Sequence, residues 1–245
     1  MPKLSIVIPA SNEENRMPTT LKNYINYFDK ELKDNYEIVI IPNNCQDKTP
    51  ELTQKLARKH SQVNFTNAFK DKFIGKGGAV VEGFKIAQGD YIGYVDADGS
   101  TPPEYFYDLL HNIAEKDGII ASRWIEGAEI GKKQNIQRQI ASRTFNLLIK
   151  TMFGLKVKDS QCGAKIFKNK AAKSVINQII TNHWAFDVDL LYTLKRKGFN
   201  ITEIPTKWDD AEGSQLDVKK ASQNMLKSII RLRMHHSPFR RWQKK

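Results

Sequence analysis

The stretch Leu4-Ser5-Ile6-Val7-Ile8-Pro9 is an unbroken apolar and β-branched run that stops at a proline, the pattern of a buried β-strand. Behind it, Thr19 to Leu32 carries apolar residues at helical spacing. Tyr36 to Ile41 is a second apolar run, again stopped by a proline, Pro42. A buried strand, an amphipathic helix and another buried strand form a βαβ unit, so the opening of the chain predicts a parallel sheet.

The same alternation continues through the first half of the chain. Helical patterns occupy 50–59, 78–87 and 103–115, and short β-rich runs occupy 63–65, 91–95 and 118–122. Thr49 is the predicted N-cap of the helix that Pro50 opens. The alternation predicts an α/β fold with a mainly parallel sheet covered by helices on both faces. Ligands of such sheets bind beyond the carboxyl ends of the strands, so 9–14, 42–47, 96–100 and Arg123 are expected to converge on one crevice.

The second half is less regular. It predicts helices at 137–154 and 187–197, a strand at 201–204 and a long basic helix at 218–235. We find no internal repeat or low-complexity linker, and 245 residues suit one α/β domain with small additions.

Composition limits the classes of partner. Apolar residues make up 40% and charged residues 27% of the chain, as in a soluble globular protein. The net charge of +12 favours anionic partners: nucleic acid, a phospholipid surface or phosphorylated small molecules. Two cysteines cannot build a disulfide framework, which predicts a reducing compartment. No run approaches the ~18 apolar residues of a spanning helix, so any membrane contact is expected to be peripheral.

Asp96-Ala97-Asp98 directly follows the apolar run Tyr91 to Val95. Two carboxylates two residues apart at a strand end can both reach a hard divalent cation, Mg²⁺ or Mn²⁺, that bridges phosphate oxygens. The alternative is an ordinary turn in which an aspartate caps the chain, because this triplet also occurs by chance in loops.

Several motifs support the metal interpretation. The segment from Ser5 to Glu14 resembles the opening of family 2 glycosyltransferases, whose first strand runs into a nucleotide-binding loop. Glu37 to Ile41 resembles the family's second strand, and Phe73 to Val80 resembles its Gly-Lys-Gly-Gly-Ala segment. Asn43 stands where the family has an aspartate that accepts a hydrogen bond from the base, so base recognition is expected to differ.

The second half narrows the resemblance to dolichyl-phosphate β-glucosyltransferases and related mannosyltransferases. Asp159 to Phe167, Trp184 to Leu191, and Glu203-Ile204-Pro205 with Trp208 and Glu212-Gly213-Ser214 are similar to segments of these enzymes, in the same order. Gly99 and Ser100 stand where the mannosyltransferases have Leu-Gln, which favours the glucosyl branch.

The resemblance implies a GT-A (Rossmann-like) fold with a smaller acceptor-side region. Residues 1–216 would form the glycosyltransferase domain, with 1–123 as the nucleotide-sugar half and 124–216 as the acceptor half. Residues 217–245 would be a basic amphipathic C-terminal helix and tail. The implied reaction is inverting transfer of a hexose, glucose before mannose, from a UDP-glucose or GDP-mannose type donor to a polyprenyl phosphate.

The implied site has three groups of residues. The nucleotide-sugar group is Pro9, Ala10, Ser11, Glu13, Asn43, Lys76, Asp96, Ala97 and Asp98, with Asp96 and Asp98 on the metal. The acceptor-phosphate group is Arg123, Arg138 and Ser142. Asp187 is implied as base or sugar-hydroxyl ligand, and its alternative is a carboxylate stabilised by a helix N-terminus.

From Lys219 to Lys245, basic residues alternate with apolar and aromatic ones. Such a segment suits an anionic membrane surface, and the alternative is a solvated helix face with a frayed tail. We therefore expect a cytoplasmic protein, peripheral on the cytosolic face of a membrane.

Three rival functions remain at this stage. A soluble family 2 enzyme would glycosylate a polysaccharide or protein hydroxyl and would need Asp187 as base. A nucleotidyltransferase would release pyrophosphate. A nucleic-acid-binding protein would use the same net charge, but the sequence has no helix-turn-helix spacing or zinc ligands, and we expect no nucleic-acid partner.

Overall fold

A computed structural model describes residues 1–131, 136–183, 185–209 and 218–237, and for 136–141 and 218–223 it describes the helical backbone alone. The strands are β1 (Leu4–Ala10), β2 (Tyr36–Pro42), β3 (Val63–Phe65), β4 (Tyr91–Val95), β5 (Gly118–Ser122), β6 (Glu129–Ile130), β7 (Ala164–Lys168), β8 (Ile201–Pro205) and β9 (Lys207–Trp208). The α-helices are α1 (Met17–Leu32), α2 (Thr49–Ala57), α3 (Gly75–Ile86), α4 (Pro103–Asn112), α5 (Ile136–Phe153), α6 (Asn169–Val175), α7 (Phe186–Arg196) and α8 (Val218–His235).

Seven strands form one sheet in the order β3-β2-β1-β4-β7-β5-β8. All neighbours in this sheet are parallel except β7, which runs antiparallel to both β4 and β5. The predicted α/β fold with a mainly parallel sheet is confirmed. The antiparallel strand was not predicted, and it carries the second half of the chain into the middle of the sheet.

The sheet separates two apolar cores. Along β1, Ile6 and Ile8 face a core that contains α1 and α4, whereas Val7 faces the core that contains α3, α6 and α7. Strand side chains alternate between faces, so a continuous apolar run is the pattern of a strand buried on both sides. This explains why the strands at the start of the chain are apolar throughout.

Helices α5 and α8 pack on the second core. Ile149 and Phe153 of α5 are buried there together with Ile229 and Leu232 of α8. Among the described residues, no helix is both long enough and apolar enough to cross a membrane.

The start of α2 differs from the prediction. Thr49 is the first helical residue, and its backbone N–H donates to Asp47 Oδ1 at 2.9 Å. The N-cap residue is therefore Lys48, which makes no side-chain capping bond, and the Asp47 carboxylate before it orders the turn into the helix. The Thr49 hydroxyl instead accepts the N–H of Glu13 at 2.7 Å, which ties α2 to the loop after β1.

Candidate functional site

The loops after β1 and β2 are joined at the carboxyl edge of the sheet. The Asn43 N–H donates to the carbonyl of Ala10 at 2.8 Å, and the Gln46 N–H donates to Asn12 Oδ1 at 2.7 Å. Pro9 and Ala10 form the end of β1 and pair in register with the end of β2, while Ser11 is exposed. The expected meeting of these two loops is present.

Asn43 is buried and already uses one of its side-chain atoms. Its Oδ1 accepts the Ile74 N–H at 2.8 Å, which fixes the segment before α3. The Asn43 amide NH₂ can donate to a base, and Oδ1 keeps a second lone pair with which it can accept. The family's aspartate, when ionised, can only accept, so Asn43 adds a donor at this place.

The loop after β4 presents two carboxylates. Lys76 Nζ lies 2.6 Å from Asp96 Oδ1, and both side chains are about one-third exposed. Burial raises the pKa of Asp96, against the opposing effect of the Lys76 ammonium. Asp98 Oδ1 accepts the Ser100 N–H at 2.9 Å, which orders the turn, and Ala97 between the two acids is buried.

Glu13 lies close enough to this loop to interact with its charges. Its carboxylate pairs with Arg16 at 2.7 Å. Burial raises the pKa of Glu13, and the negative charges of Asp98 and Asp96 add to that shift. The loop after β1 therefore borders the loop that carries Asp96 and Asp98, as expected for loops at the carboxyl ends of parallel strands.

The glycines of the Gly75-Lys76-Gly77-Gly78 segment serve helix packing. A Cβ at Gly75 would overlap the Asn182 carbonyl, and a Cβ at Gly77 would overlap Phe186. The Gly77 N–H also donates to the Asn182 carbonyl at 2.9 Å. The start of α3 therefore packs closely against the residues that lead into α7, and this packing places Lys76 beside Asp96.

Asp187 belongs to a buried polar cluster. Lys165 Nζ lies 2.5 Å from Asp187 Oδ1 and donates to the Cys162 carbonyl at 2.5 Å, and the Tyr94 hydroxyl also donates to Asp187. Lys165 is fully buried and Asp187 is 6% exposed. Burial alone would raise the pKa of Asp187, but the Lys165 and Lys76 ammonium groups lower it below its usual value.

Arg123 follows β5 and is held by Asp159. Its Nε and Nη2 donate to the two Asp159 carboxylate oxygens at 2.7 and 3.0 Å, and its backbone N–H donates to the same carboxylate at 3.0 Å. The guanidinium lies over the rings of Trp208, at 5.2 Å, and Trp124, at 5.9 Å. Burial opposes the charge of Arg123, but Asp159 raises its pKa above the usual value, so it stays cationic. Asp159 binds the Nε–Nη2 edge of the guanidinium, and among the described residues no side chain binds the Nη1–Nη2 edge, which could bind a ligand.

Two predicted acceptor residues lie on α5. Ser142 is half-buried, and its carbonyl accepts the Asn146 side-chain amide at 3.1 Å. The side chain of Arg138 lies outside the described residues, as do Trp184 and the Glu212-Gly213-Ser214 segment.

The residues present fit a divalent cation with a diphosphate. Asp96 and Asp98 supply two carboxylates, and the described residues contain no group of three or more acidic, histidine or cysteine ligands. A Cβ at Gly163 would overlap the Asp96 carboxylate, so only glycine allows Asp96 to lie this close to the segment before β7. A site with few protein ligands suits a cation that takes its other oxygens from phosphate.

Three site residues were not predicted: Tyr94, Asp159 and Lys165. The sequence did contain a signal for Lys165, because it lies inside the apolar run Ala164 to Phe167. A lysine in such a run is expected to be buried, and a buried lysine requires an acidic partner. Asp159 offered no such signal, since a single acid in a polar segment is ordinary.

The chain matches known proteins over most of its length. Residues 5–176 match the model of the family described as glycosyl transferase family 2. The dolichyl-phosphate beta-glucosyltransferase of Dictyostelium discoideum is 32% identical over 243 residues, covering 95% of this chain and 74% of that protein. The dolichyl-phosphate beta-glucosyltransferase of Saccharomyces cerevisiae is 30% identical over 94% of this chain and 74% of its own length.

Solved structures show the same fold at low sequence identity. Glucosyl-3-phosphoglycerate synthase from Mycobacterium tuberculosis, crystallised with Mn²⁺, UDP and glucosyl-3-phosphoglycerate, has a TM-score of 0.68 at 16% identity and covers 94% of this chain and 79% of its own. A mannosyltransferase from Pyrobaculum calidifontis, in complex with GDP-Man and Mn²⁺, has a TM-score of 0.61 at 15% identity, over 87% of this chain and 58% of its own. These neighbours identify the fold as GT-A. The family match and the relatives together place the chain in glycosyl transferase family 2, and it is a glycosyltransferase.

Proposed function

We propose that this protein transfers a hexose, glucose before mannose, from a nucleotide diphosphate sugar to a polyprenyl phosphate of the dolichyl type. The observation that carries the proposal is that the Asp96-Ala97-Asp98 loop and Arg123 lie at the same edge of the sheet, close enough for their charges to interact. Asp159 holds the Arg123 guanidinium in place. The first suits a leaving diphosphate, and the second suits an anionic acceptor. The names of the relatives support the same pair of substrates.

On the donor side, Pro9, Ala10 and Ser11 would border the nucleoside, with Asn43 beneath its base. Asp96 and Asp98 would hold Mg²⁺ or Mn²⁺. A bound divalent cation supplies positive charge to neutralise the departing diphosphate. Lys76 forms an ion pair with Asp96 and so lies beside the proposed cation site. Its ammonium can turn to a phosphate oxygen when the diphosphate binds.

On the acceptor side, Arg123 and Arg138 would grip the phosphate, with Ser142 beside them. An oxygen of the phosphate monoester attacks the anomeric carbon in line. The bond from that carbon to the diphosphate breaks, and its electron pair leaves with the nucleoside diphosphate. One displacement inverts the anomeric centre. Because the monoester is anionic near neutral pH, positioning and charge neutralisation are the main tasks.

This acceptor also suits the environment of Asp187. A carboxylate whose pKa is held down by Lys165 is a weak base, and an anionic acceptor needs no proton removed. We therefore assign Asp187 to accepting a hydrogen bond from a sugar hydroxyl or to ordering Lys165 and Tyr94. Transfer to a neutral hydroxyl, the rival reaction, would instead require a strong base at this place.

A groove of about 240 Å³ beside Trp124 suits the lipid end of the acceptor. Its walls combine cationic and apolar side chains: Arg143, Lys150, Lys158, Trp124, Leu147 and Val157. The Arg143 guanidinium lies over the Trp124 ring at 5.2 Å. Arg123, the proposed phosphate ligand, directly precedes Trp124 in the chain, so the groove begins beside it. A phosphate joined to an isoprenoid chain presents both chemistries that these walls offer.

Helix α8 would bring the protein to an anionic membrane surface. Leu226, Ile230 and Met234, spaced four residues apart, are each more than 40% exposed, and the helix contains no acidic residue. Residues at this spacing form one apolar row along a helix. Basic side chains on both sides of such a row suit the headgroup region of a bilayer. The localisation proposed is accordingly peripheral, on the cytosolic face.

Replacing two residues of this row, Leu226→Ser with Ile230→Ser, is expected to weaken binding to vesicles by about tenfold, because less apolar surface is buried at the membrane. Sedimentation with phosphatidylserine vesicles measures the loss. The matched control is Ile86→Ser on α3, which removes a side chain of similar exposure (50%) from another face. Equal binding by the double variant and wild type would show that α8 does not dock.

The function is tested by incubating the purified protein with dolichyl phosphate, Mn²⁺ and radiolabelled UDP-glucose or GDP-mannose. We expect a chloroform-soluble labelled lipid whose formation needs the metal, with UDP-glucose the better donor. Label that moves to protein or polysaccharide instead would favour the soluble hydroxyl-directed enzyme. If no common donor gives the lipid, the polyprenyl phosphate acceptor is wrong.

A further inference from the structure

Four buried side-chain atoms lack a hydrogen-bond partner among the described residues, and three of them lie around Arg123. They are Ser100 Oγ, Trp124 Nε1 and Gln161 Nε2; the fourth, His236 Nε2, lies at the end of α8. A buried polar atom without a partner is costly in a folded protein and uncommon. Three in one region mark a place where a ligand could supply the missing partners.

Contacts and short stretches of sequence connect each of these three residues to Arg123. Trp124 follows Arg123 and lies beneath its guanidinium, and Gln161 lies two residues beyond Asp159, which holds Arg123. The Ser100 carbonyl accepts the Asp209 N–H at 3.1 Å, and Trp208, the preceding residue, covers Arg123 from the other side.

Similar connections lead back to the two carboxylates. Gly163, two residues beyond Gln161, lies against the Asp96 carboxylate, and the Ser100 N–H donates to Asp98. The three residues with unpartnered atoms therefore adjoin both the residues that would hold the diphosphate and the residue that would hold the acceptor. In a transfer reaction the group between leaving group and acceptor is the one being moved.

The chemistry of the three atoms suits a hydroxyl-bearing ligand. The indole N–H and the amide NH₂ only donate, and the serine hydroxyl can donate or accept. All three are neutral, whereas the positive charge of Arg123 nearby is already balanced by Asp159. Neutral donors in a dry setting match sugar oxygens, which carry lone pairs and no net charge.

We infer that Ser100, Trp124 and Gln161 form the subsite for the transferred hexose, with their free donors directed to its hydroxyl oxygens. The inference rests on the proposed function and adds to it three residues that determine sugar specificity. A site built to hydrogen-bond particular hydroxyls discriminates against a sugar that lacks or misplaces them, because the site's buried donors are then unpaired.

The inference makes an unusual prediction for the unliganded protein. Replacing a buried polar atom that has no partner by an apolar group removes a penalty, so Ser100→Ala and Gln161→Met should leave the Tm of the free protein unchanged or higher. Trp124→Phe also removes part of the ring that Arg123 and Arg143 cover, so only its effect on binding is used. Each of the three variants should weaken UDP-glucose binding in Mn²⁺ about five- to tenfold by calorimetry, the effect of one lost hydrogen bond. Binding of UDP, which lacks the hexose, should stay at the wild-type value.

Ser5→Ala is the matched control, because it deletes a buried serine hydroxyl that does have partners. Ser5 Oγ donates to Glu37 at 2.6 Å and accepts the Gly89 N–H at 2.7 Å, at the start of β1 and away from the site. This variant should lower the Tm and leave both Kd values unchanged, the opposite of Ser100→Ala.

Three results would overturn the inference while the proposed function stands. The variants could keep the wild-type Kd for UDP-glucose, Ser100→Ala and Gln161→Met could lose stability as Ser5→Ala does, or the variants could weaken only the acceptor, which would assign the donors to the phosphate. Failure of the wild-type protein to bind UDP-glucose in Mn²⁺ or to transfer glucose from it would instead contradict the proposed glucosyl donor, and the subsite would fall with it.

Discussion

Asp96→Asn is expected to lower kcat/KM for glucosyl transfer by about 10³-fold while the protein stays folded. The substitution keeps the size of the side chain but removes one of two negative charges that would hold the cation against the diphosphate. Loss of a single group that stabilises charge in the transition state typically costs about 10²–10³ in rate. Steady-state transfer assays with UDP-glucose and Mn²⁺ measure the effect, and circular dichroism checks the fold.

The stability of Asp96→Asn should stay close to that of wild type. The partner of Asp96, Lys76, is about one-third exposed, and ion pairs near the surface contribute less than about 1 kcal/mol. Asp34→Asn is a suitable control, because Asp34 precedes β2 at the opposite edge of the sheet and bonds only the exposed Gln62 amide among the contacts described for it. Transfer by Asp96→Asn within tenfold of wild type would contradict a metal-diphosphate role for the loop.

Lys165→Met is expected to cause the largest loss of stability, about 3–5 kcal/mol in the free energy of unfolding. Lys165 is fully buried, and its removal leaves the Asp187 carboxylate without its ion-pair partner in the core. Breaking a buried ion pair from one side costs about this amount, since the remaining charge is uncompensated. Urea unfolding followed by fluorescence measures the difference.

The double variant Lys165→Met with Asp187→Asn separates stability from catalysis. Replacing both charges removes the penalty and keeps a hydrogen-bond acceptor for the Tyr94 hydroxyl, so most of the lost stability should return. Transfer should stay low if the Asp187 charge takes part in the reaction. A double variant that is less stable than Lys165→Met would show that the two charges do not compensate each other.

Local patterns in the sequence predicted the parallel part of the sheet, because a strand buried on both faces is apolar throughout. Each such run ends where polar residues begin. Because ligands of parallel sheets bind beyond the carboxyl ends of the strands, the sequence alone predicted that the loops after β1, β2, β4 and β5 lie close together. Strand β7 escaped prediction for a physical reason. Its Lys165 interrupts the apolar run, and that lysine is tolerated only because Asp187, 22 residues away, lies beside it.

The environment of each site residue depends on long-range contacts that local patterns do not contain. Arg123 was expected to be free for the acceptor, but Asp159, 36 residues later, takes one edge of its guanidinium. The sequence also does not show why glycines flank Lys76, whereas in the structure Gly75 and Gly77 make room for Asn182 and Phe186. The unpartnered donors of Ser100, Trp124 and Gln161 likewise become visible only after every other buried polar atom has found its partner.

If the acceptor is a phosphate monoester, ³¹P NMR will follow its conversion to a diester. With wild-type protein, UDP-glucose, diamagnetic Mg²⁺ and a short-chain polyprenyl phosphate, we expect the monoester resonance of the lipid to disappear. A phosphodiester resonance should appear in equal amount, together with the two signals of UDP. A monoester resonance that persists while UDP is released, or the appearance of free pyrophosphate, would contradict the proposed transfer.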